Sequence, residues 1–220
     1  MTAPKQAAAD LGFEHVFEPG VSGWTLLLLH GTGGDEHDLL PLGHTLAPQA
    51  ALLSPRGKVL EQGMPRFFRR LAVGQLDIPD LLARTEELAG FLESAVLAHE
   101  LDPQRLVALG LSNGANIAVG LLLRRPGLLR GAALLRPVLP FEPERRPKLA
   151  GTDVLIASGS EDPYAPAAQA ARLAEILNAA GARVSAYVEP HTGHDLTQND
   201  LSRTARWLAE LMSPAGARSR

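Results

Sequence analysis

Three side chains far apart along the chain carry groups suited to nucleophilic catalysis: Ser112, Asp162 and His194. A serine hydroxyl is a weak nucleophile at neutral pH and needs a neighbouring base to take its proton. Histidine titrates near neutrality and suits that task. A carboxylate behind the imidazole holds the required tautomer and stabilises its charged form. Each of the three residues follows a separate predicted strand.

The serine lies in a G-x-S-x-G pattern at residues 110–114. Residues 106–109 predict a short buried strand, and the apolar, alanine-rich residues 115–123 predict a helix. A serine between them occupies a strained turn, where glycines two residues to either side avoid a collision. Its amide then starts a helix, which favours a developing negative charge. A structural turn with an idle serine is the alternative interpretation.

A glycine-rich loop, residues 30–35, directly follows the apolar run at residues 24–29. A dinucleotide-binding fingerprint would need glycine where Glu36 stands, and a phosphate loop would end in Gly-Lys-Ser/Thr. The loop instead fits an oxyanion loop, whose glycines let the backbone approach the substrate. We expect the backbone N–H groups of Thr32 and Asn113 to form the oxyanion hole.

Other residues compete with Asp162 and His194 for their roles. His191 lies three residues before His194, but the flexible Gly193 favours His194 as the base. Glu161 stands one residue before Asp162, the position that fits the predicted loop. Asp153 precedes its predicted strand and so belongs to the wrong end of the sheet. Residues 191–195 also have the form of a metal-binding fragment. Nothing nearby completes a coordination shell, so we predict no metal.

A long segment, residues 55–79, has no regular pattern, and loops of this length in compact domains are usually functional or disordered. Its aromatic residues argue against disorder. We predict a cap over the site, in which Phe67 and Phe68 form an apolar patch for substrate and the arginines of residues 64–70, Arg69 among them, lie at the rim. A surface loop with two core aromatics is the alternative.

Strands and helices alternate along the chain, which predicts an α/β fold with a mostly parallel, twisted sheet and helices on both faces. In such sheets ligands bind beyond the carboxyl ends of the strands, where His30, Ser112, Asp162 and His194 all fall. The expected strands are 13–17, 24–29, 50–53, 106–109, 132–135, 154–158 and 183–189. The expected helices are 80–99, 115–123, 167–179 and 197–212, with a short helix running from acidic residues at 35–38 to about residue 46.

The composition narrows the classes of partner. The 220 residues fit one domain, with residues 1–10 and 213–220 expected to be flexible tails. A net charge of −3 without a basic block makes nucleic acid an improbable partner, and the absence of cysteine excludes thiolate chemistry. No stretch is apolar enough for a signal peptide or a membrane span, so we expect a cytoplasmic protein.

The motifs together resemble the phospholipase/carboxylesterase family of α/β-hydrolases, which includes the acyl-protein thioesterases. The resemblance runs from about residue 24 to the last helix and rests on residues 29–35, 110–114, 159–163 and 193–194. Residues 54–57 and 64–70 resemble a bacterial subgroup of carboxylesterases and hydroquinone-linked hydrolases. The resemblance implies a cofactor-free monomer or homodimer that hydrolyses esters with short or medium acyl chains.

The leading hypothesis is a serine carboxylesterase that forms an acyl-enzyme on Ser112 from a small-molecule ester. The same residues would serve a thioesterase, a lysophospholipase or a hydrolase of aromatic esters. A non-catalytic small-molecule receptor on the same fold is the alternative from another class, because fold does not fix function.

Overall fold

The structure is a computed structural model that describes residues 11–213, and a seven-stranded sheet lies at its centre. The strands in chain order are β1 (His15–Glu18), β2 (Thr25–Leu29), β3 (Ala51–Pro55), β4 (Val59–Glu61), β5 (Met64–Arg66), β6 (Arg70–Ala72), β7 (Gln75–Leu76), β8 (Leu106–Leu111), β9 (Gly131–Leu135), β10 (Asp153–Gly159) and β11 (Arg183–Glu189). The α-helices are α1 (Leu40–Leu46), α2 (Ile78–Ala98), α3 (Asn113–Arg124), α4 (Ala167–Ala179) and α5 (Gln198–Met212).

The central sheet has the strand order β1-β3-β2-β8-β9-β10-β11. Its edge strand β1 pairs antiparallel with β3, and every other neighbouring pair is parallel. The carboxyl ends of the parallel strands therefore meet along one edge, which is the edge that the sequence predicted for the functional residues. The predicted fold class is confirmed.

Both faces of the sheet are covered, which explains the unbroken apolar runs in its inner strands. Successive residues of β2 contribute to opposite faces: Leu27 and Leu29 belong to one buried cluster, and Leu26 and Leu28 to the other. The first cluster contains apolar side chains of α2, α3 and α4. The second contains those of α1 and α5. The sheet is thus held between two layers of helices.

The short helix α1 begins later than the sequence predicted. It starts at Leu40 rather than near the acidic residues 35–38, which lie in turns. Pro41 occupies the first turn, the part of a helix where a missing N–H costs least. Acidic residues before a proline therefore suggested a helix start that is several residues early.

Residues 55–79 are not the irregular loop that the sequence suggested. They form two small antiparallel hairpins, β4–β5 and β6–β7. Large apolar side chains at Leu60, Leu71 and Val73 are exposed on these hairpins. The expected tails at residues 1–10 and 213–220 lie outside the described residues, except Ser213, which is the C-cap residue of α5. Within residues 11–213, no helix has both the length and the apolar character needed to cross a bilayer.

Candidate active site

Ser112 occupies a sharp turn between β8 and α3, with φ 52° and ψ −110°. Non-glycine residues rarely adopt positive φ, so the turn is strained. The two glycines of the motif explain how the strain is accommodated. A Cβ on Gly114 would lie 1.9 Å from the carbonyl oxygen of Leu29, and one on Gly110 would lie 2.6 Å from the carbonyl oxygen of Gly114. The turn is therefore packed directly against the end of β2.

Ser112, His194 and Asp162 form a row of hydrogen bonds. The Oγ of Ser112 lies 2.8 Å from Nε2 of His194, and Nδ1 of His194 lies 2.7 Å from Oδ2 of Asp162. Because an ionised carboxylate only accepts, Nδ1 carries the proton and Nε2 is left to accept from the serine hydroxyl. The arrangement is that of a nucleophile, a base and a group that orients the base.

The carboxylate of Asp162 is fully buried and held on both oxygens. Its Oδ1 accepts from the amides of Tyr164 at 2.8 Å and Ala165 at 3.0 Å. Burial acts to raise the pKa of Asp162, but the two amides and the ring of His194 outweigh it, so that the pKa lies below its usual range. The residue is therefore ionised at neutral pH.

The competing residues lie elsewhere. His191 is exposed and contacts the exposed Glu161 at 3.2 Å. Asp153 stands at the start of β10, the opposite end of that strand from Asp162, where it pairs with Arg183 at 2.6 Å. Of the candidate acids and bases, the structure brings only Asp162 and His194 to Ser112.

The glycine-rich loop is fixed by His30, whose side chain is buried. Its Nδ1 lies 2.7 Å from the carbonyl oxygen of Gly31, and its Nε2 accepts from the amide of Gly57 at 2.9 Å. The amide of Gly33 donates to the carbonyl of Pro65 at 3.0 Å, and the hydroxyl of Thr32 accepts from Nη1 of Arg66 at 2.7 Å. The loop is thus tied to the first hairpin at several points.

Thr32 and Asn113 line the same cavity as Ser112 and His194. In residues 11–213, the backbone N–H of neither residue donates to a protein acceptor. Asn113 begins α3, where backbone N–H groups have no partner within the helix. Its side chain has a separate task, because Oδ1 accepts from the amide of Phe67 at 2.7 Å.

The cavity has a volume of about 850 Å³ and mixes apolar and cationic walls. Its apolar lining includes Leu76 in the second hairpin, Ile78 at the start of α2, Leu139 after β9, and Tyr164 after β10. Three arginines also line it: Arg66, Arg70 and Arg136. The second hairpin therefore contributes to the cavity wall.

The expectation that Phe67 and Phe68 form an apolar patch for substrate is wrong, and Arg69 is not among the residues that line the cavity. Both phenylalanines are buried in the core, and the ring of Phe67 packs against His30 with centroids 4.7 Å apart. Arg69 is exposed and pairs with Asp77 at 3.0 Å. The alternative interpretation, in which both aromatic residues belong to the core, is the one that holds for the rings. An aromatic pair next to arginines gives no periodicity that could decide between the two interpretations.

Sequence reasoning missed a buried ionic network behind the histidine. Arg136 and Asp200 are both fully buried and pair at 2.7 Å, and the hydroxyl of Tyr187 donates to Asp200 at 3.0 Å. Nη2 of Arg136 also donates to the carbonyl of Asp195 at 2.7 Å. Burial and the charge of Asp200 raise the pKa of Tyr187. The available signal was an arginine placed directly after a buried strand, at the edge where ligands bind.

One group of potential metal ligands occurs in the described part of the chain: Asp35, Glu36 and His37. Glu36 already pairs with Arg56, whose Nη2 lies 2.7 Å from Oε1. His37 is exposed. None of the three residues lines the cavity, and the ion pair with Arg56 accounts for the position of Glu36.

Comparison with known proteins identifies the family of this chain. The family model for Phospholipase/Carboxylesterase matches residues 22–212. The chain is 44% identical over 197 residues to the putative hydrolase MhqD of Bacillus subtilis strain 168, an alignment that covers 90% of this chain and 98% of MhqD.

Solved structures give the same result. The Bacillus cereus carboxylesterase is 44% identical with a TM-score of 0.88, covering 94% of this chain and 97% of that one. A carboxylesterase from Mesorhizobium loti is 34% identical with a TM-score of 0.85, and the match covers 91% of this chain and 96% of that one. The resemblance inferred from the motifs is confirmed: the chain belongs to the phospholipase/carboxylesterase family of α/β-hydrolases.

Proposed function

We propose that the protein is a serine carboxylesterase that works through an acyl-enzyme on Ser112. The observation that carries the proposal is the row of hydrogen bonds, 2.8 Å from Ser112 to His194 and 2.7 Å from His194 to Asp162, at the wall of a cavity. Family membership supports a hydrolase acting on esters.

In this mechanism Oγ of Ser112 attacks the ester carbonyl while Nε2 of His194 takes the hydroxyl proton. A tetrahedral intermediate forms, and its collapse expels the alcohol, which receives the proton from His194. The acyl group remains on Ser112. Water then attacks the acyl-enzyme with His194 again acting as the base, and the carboxylic acid leaves. Asp162 orients the imidazole and stabilises its charged form throughout.

The amides of Thr32 and Asn113 are the proposed donors to the oxyanion of each tetrahedral intermediate. Both residues line the cavity, and neither backbone amide has a protein acceptor among the described residues. A donor preorganised for the oxyanion contributes about 3 kcal/mol to transition-state stabilisation. The start of α3 adds a favourable dipole at the same place.

A cavity of about 850 Å³ has room for a small-molecule ester. The choice of short or medium acyl chains rests on the resemblance to the family. A thioester, a lysophospholipid or an aromatic ester would use the same three side chains and is an alternative substrate. A non-catalytic receptor would keep the cavity but would not need a nucleophile in a strained turn.

The test compares Ser112→Ala with the wild-type protein on p-nitrophenyl butyrate and with a fluorophosphonate probe. We expect hydrolysis to fall by about 10⁶-fold and labelling to vanish, because the nucleophile is gone. Ser160→Ala is the control, since Ser160 is an exposed serine that follows β10. Undiminished hydrolysis by Ser112→Ala would contradict the mechanism, and absence of hydrolysis and labelling in the wild-type protein would favour the receptor.

A further inference from the structure

Two guanidinium groups on the hairpins share the cavity with the proposed nucleophile. Arg66 ends β5 and Arg70 begins β6, and both line the cavity that contains Ser112 and His194. The side chain of Arg66 is 4% exposed, and that of Arg70 is 27% exposed. A catalytic cavity for neutral esters has no evident need for two cations beside it.

The two cations share one carboxylate, that of Glu61. Both Nε and Nη2 of Arg70 bind Oε1 of Glu61, at 2.8 and 2.7 Å. Nε of Arg66 lies 3.3 Å from Oε2, but it donates its hydrogen to the carbonyl of Phe68 at 3.2 Å. Oε2 of Glu61 consequently has no hydrogen-bond partner. Two positive charges thus stand against one negative charge.

Each guanidinium also keeps an open donor. Arg66 uses Nε for Phe68 and Nη1 for the hydroxyl of Thr32, and Arg70 uses Nε and Nη2 for Glu61. Across the described residues, no hydrogen bond occupies Nη2 of Arg66 or Nη1 of Arg70. These donors are available to a group inside the cavity.

The charge balance of the cluster favours an added anion. Burial lowers the pKa of Arg66 below its usual range, the charge of Glu61 opposes this, and the charge of Arg70 adds to it. A carboxylate between the two guanidinium groups would relieve their repulsion and form charge-assisted hydrogen bonds. Asp195, the acidic residue that lines the cavity, is exposed and adjoins His194 rather than Glu61.

We propose that Arg66 and Arg70 bind a carboxylate carried by the substrate, so that the enzyme prefers anionic esters to neutral esters of the same shape. The proposal rests on the proposed esterase function and adds the chemical class of the substrate. The carboxylate belongs either to the acyl half or to the leaving-group half of the ester.

The experiment uses two pairs of esters that differ only by a carboxylate or a carboxamide. Mono-p-nitrophenyl adipate and its terminal amide test the acyl half. 4-Acetoxybenzoate and 4-acetoxybenzamide test the leaving-group half. For each pair, the ratio of kcat/KM values is measured for the wild-type protein and for two variants of matched charge, Arg70→Gln and Arg69→Gln. Arg69 lies outside the cavity, next to Arg70 in sequence.

In at least one of the two pairs, we expect the kcat/KM of the wild-type protein to be about tenfold or more higher for the carboxylate than for the carboxamide. A hydrogen bond to a charged group contributes enough free energy for that factor. Arg70→Gln should bring the ratio close to one, and Arg69→Gln should leave it at the wild-type value. High salt should lower the ratio, because it screens the partly exposed Arg70. Unfolding curves of both variants check that the fold is kept.

A ratio near one in both pairs for the wild-type protein overturns the proposal while leaving the esterase function intact. A ratio that Arg69→Gln lowers as much as Arg70→Gln overturns it as well, because bulk charge would then be the cause. If p-nitrophenyl butyrate is hydrolysed but no ester in either pair is, the substrate class fails and the esterase function stands. If p-nitrophenyl butyrate is not hydrolysed either, both proposals fail.

Discussion

Arg136 donates through Nη2 to the main-chain carbonyl of Asp195 at 2.7 Å, and so anchors the residue next to His194. The anchor is rigid because Arg136 is fully buried and pairs with the buried Asp200. Asp200 is itself fixed by the capping box of α5, in which its Oδ2 accepts from the amide of Thr197 at 2.8 Å. The loop that carries His194 is therefore held by an ion pair that does not touch Ser112.

Arg136→Met should impair both stability and catalysis. Removing one partner leaves a buried charge on Asp200, which costs about 3–5 kcal/mol of the free energy of unfolding. Loss of the bond to Asp195 should also let the imidazole drift, and a displacement near 1 Å costs about 100-fold in rate. Urea unfolding and kcat with p-nitrophenyl butyrate measure the two effects.

The double variant Arg136→Met/Asp200→Asn separates the loss of stability from the loss of activity. It should recover stability relative to Arg136→Met, since the uncompensated charge is gone. Its kcat should stay low, because the anchor on Asp195 is still missing. Recovery of kcat together with stability would show that Arg136 acts only through the fold.

Two glycines in helices provide a matched test of the serine turn. Gly114 lies in α3 and Gly90 in α2, and alanine is the better helix former at both positions by about 1 kcal/mol. A Cβ on Gly90 meets nothing within 4 Å, whereas a Cβ on Gly114 would collide with the end of β2. Gly90→Ala should therefore raise the free energy of unfolding and leave kcat unchanged.

Gly114→Ala should lower the free energy of unfolding by about 1–3 kcal/mol through overpacking. It should also lower kcat by about 100-fold or more, because relief of the collision moves Ser112 away from His194. Thermal unfolding and esterase assays on both variants check the pair. Equal behaviour of the two alanine variants would mean that the packing of the turn against β2 is not critical.

The parts of the fold that follow from local patterns were predictable from the sequence. α4 and β11 have the predicted bounds, because an alanine-rich run ends at Gly181, which adopts φ 95°, and a clear alternation follows it. The edge position of Ser112, Asp162 and His194 followed from the alternation of strands and helices. Their assignment as catalytic residues stays a prediction until Ser112→Ala is assayed.

What the sequence did not reveal depends on contacts between distant residues. The hairpin strands in residues 55–79 are two or three residues long, too short for an alternating pattern to be recognised. Phe67 faces the core because Asn113, 46 positions away, holds its amide. Arg136 and Asp200 are 64 positions apart, and neither has a local motif that predicts the other.

Asp162→Asn tests the third member of the proposed row. An asparagine keeps the shape but donates as well as accepts, so it favours the tautomer in which Nε2 of His194 carries the proton. That tautomer cannot accept from Ser112, and kcat should fall by about 10⁴-fold. Glu161→Gln is the control, because Glu161 is exposed and contacts His191 instead. A larger loss in Glu161→Gln than in Asp162→Asn would reassign the carboxylate.

The same variant gives a prediction about acid stability. The pKa of Asp162 is lower in the folded protein than in the unfolded chain, where it is about 3.9. Its contribution is fully present above that value and is lost as the pH falls through the lower pKa of the folded state. In this window the unfolded chain binds more protons, so stability rises with pH.

Urea unfolding from about pH 5 downward should show the wild-type protein losing more free energy of unfolding than Asp162→Asn. Other buried carboxylates, such as Asp153 and Asp200, are present in both proteins and cancel in the difference. Parallel losses in the two proteins would mean that Asp162 is not held as an ion.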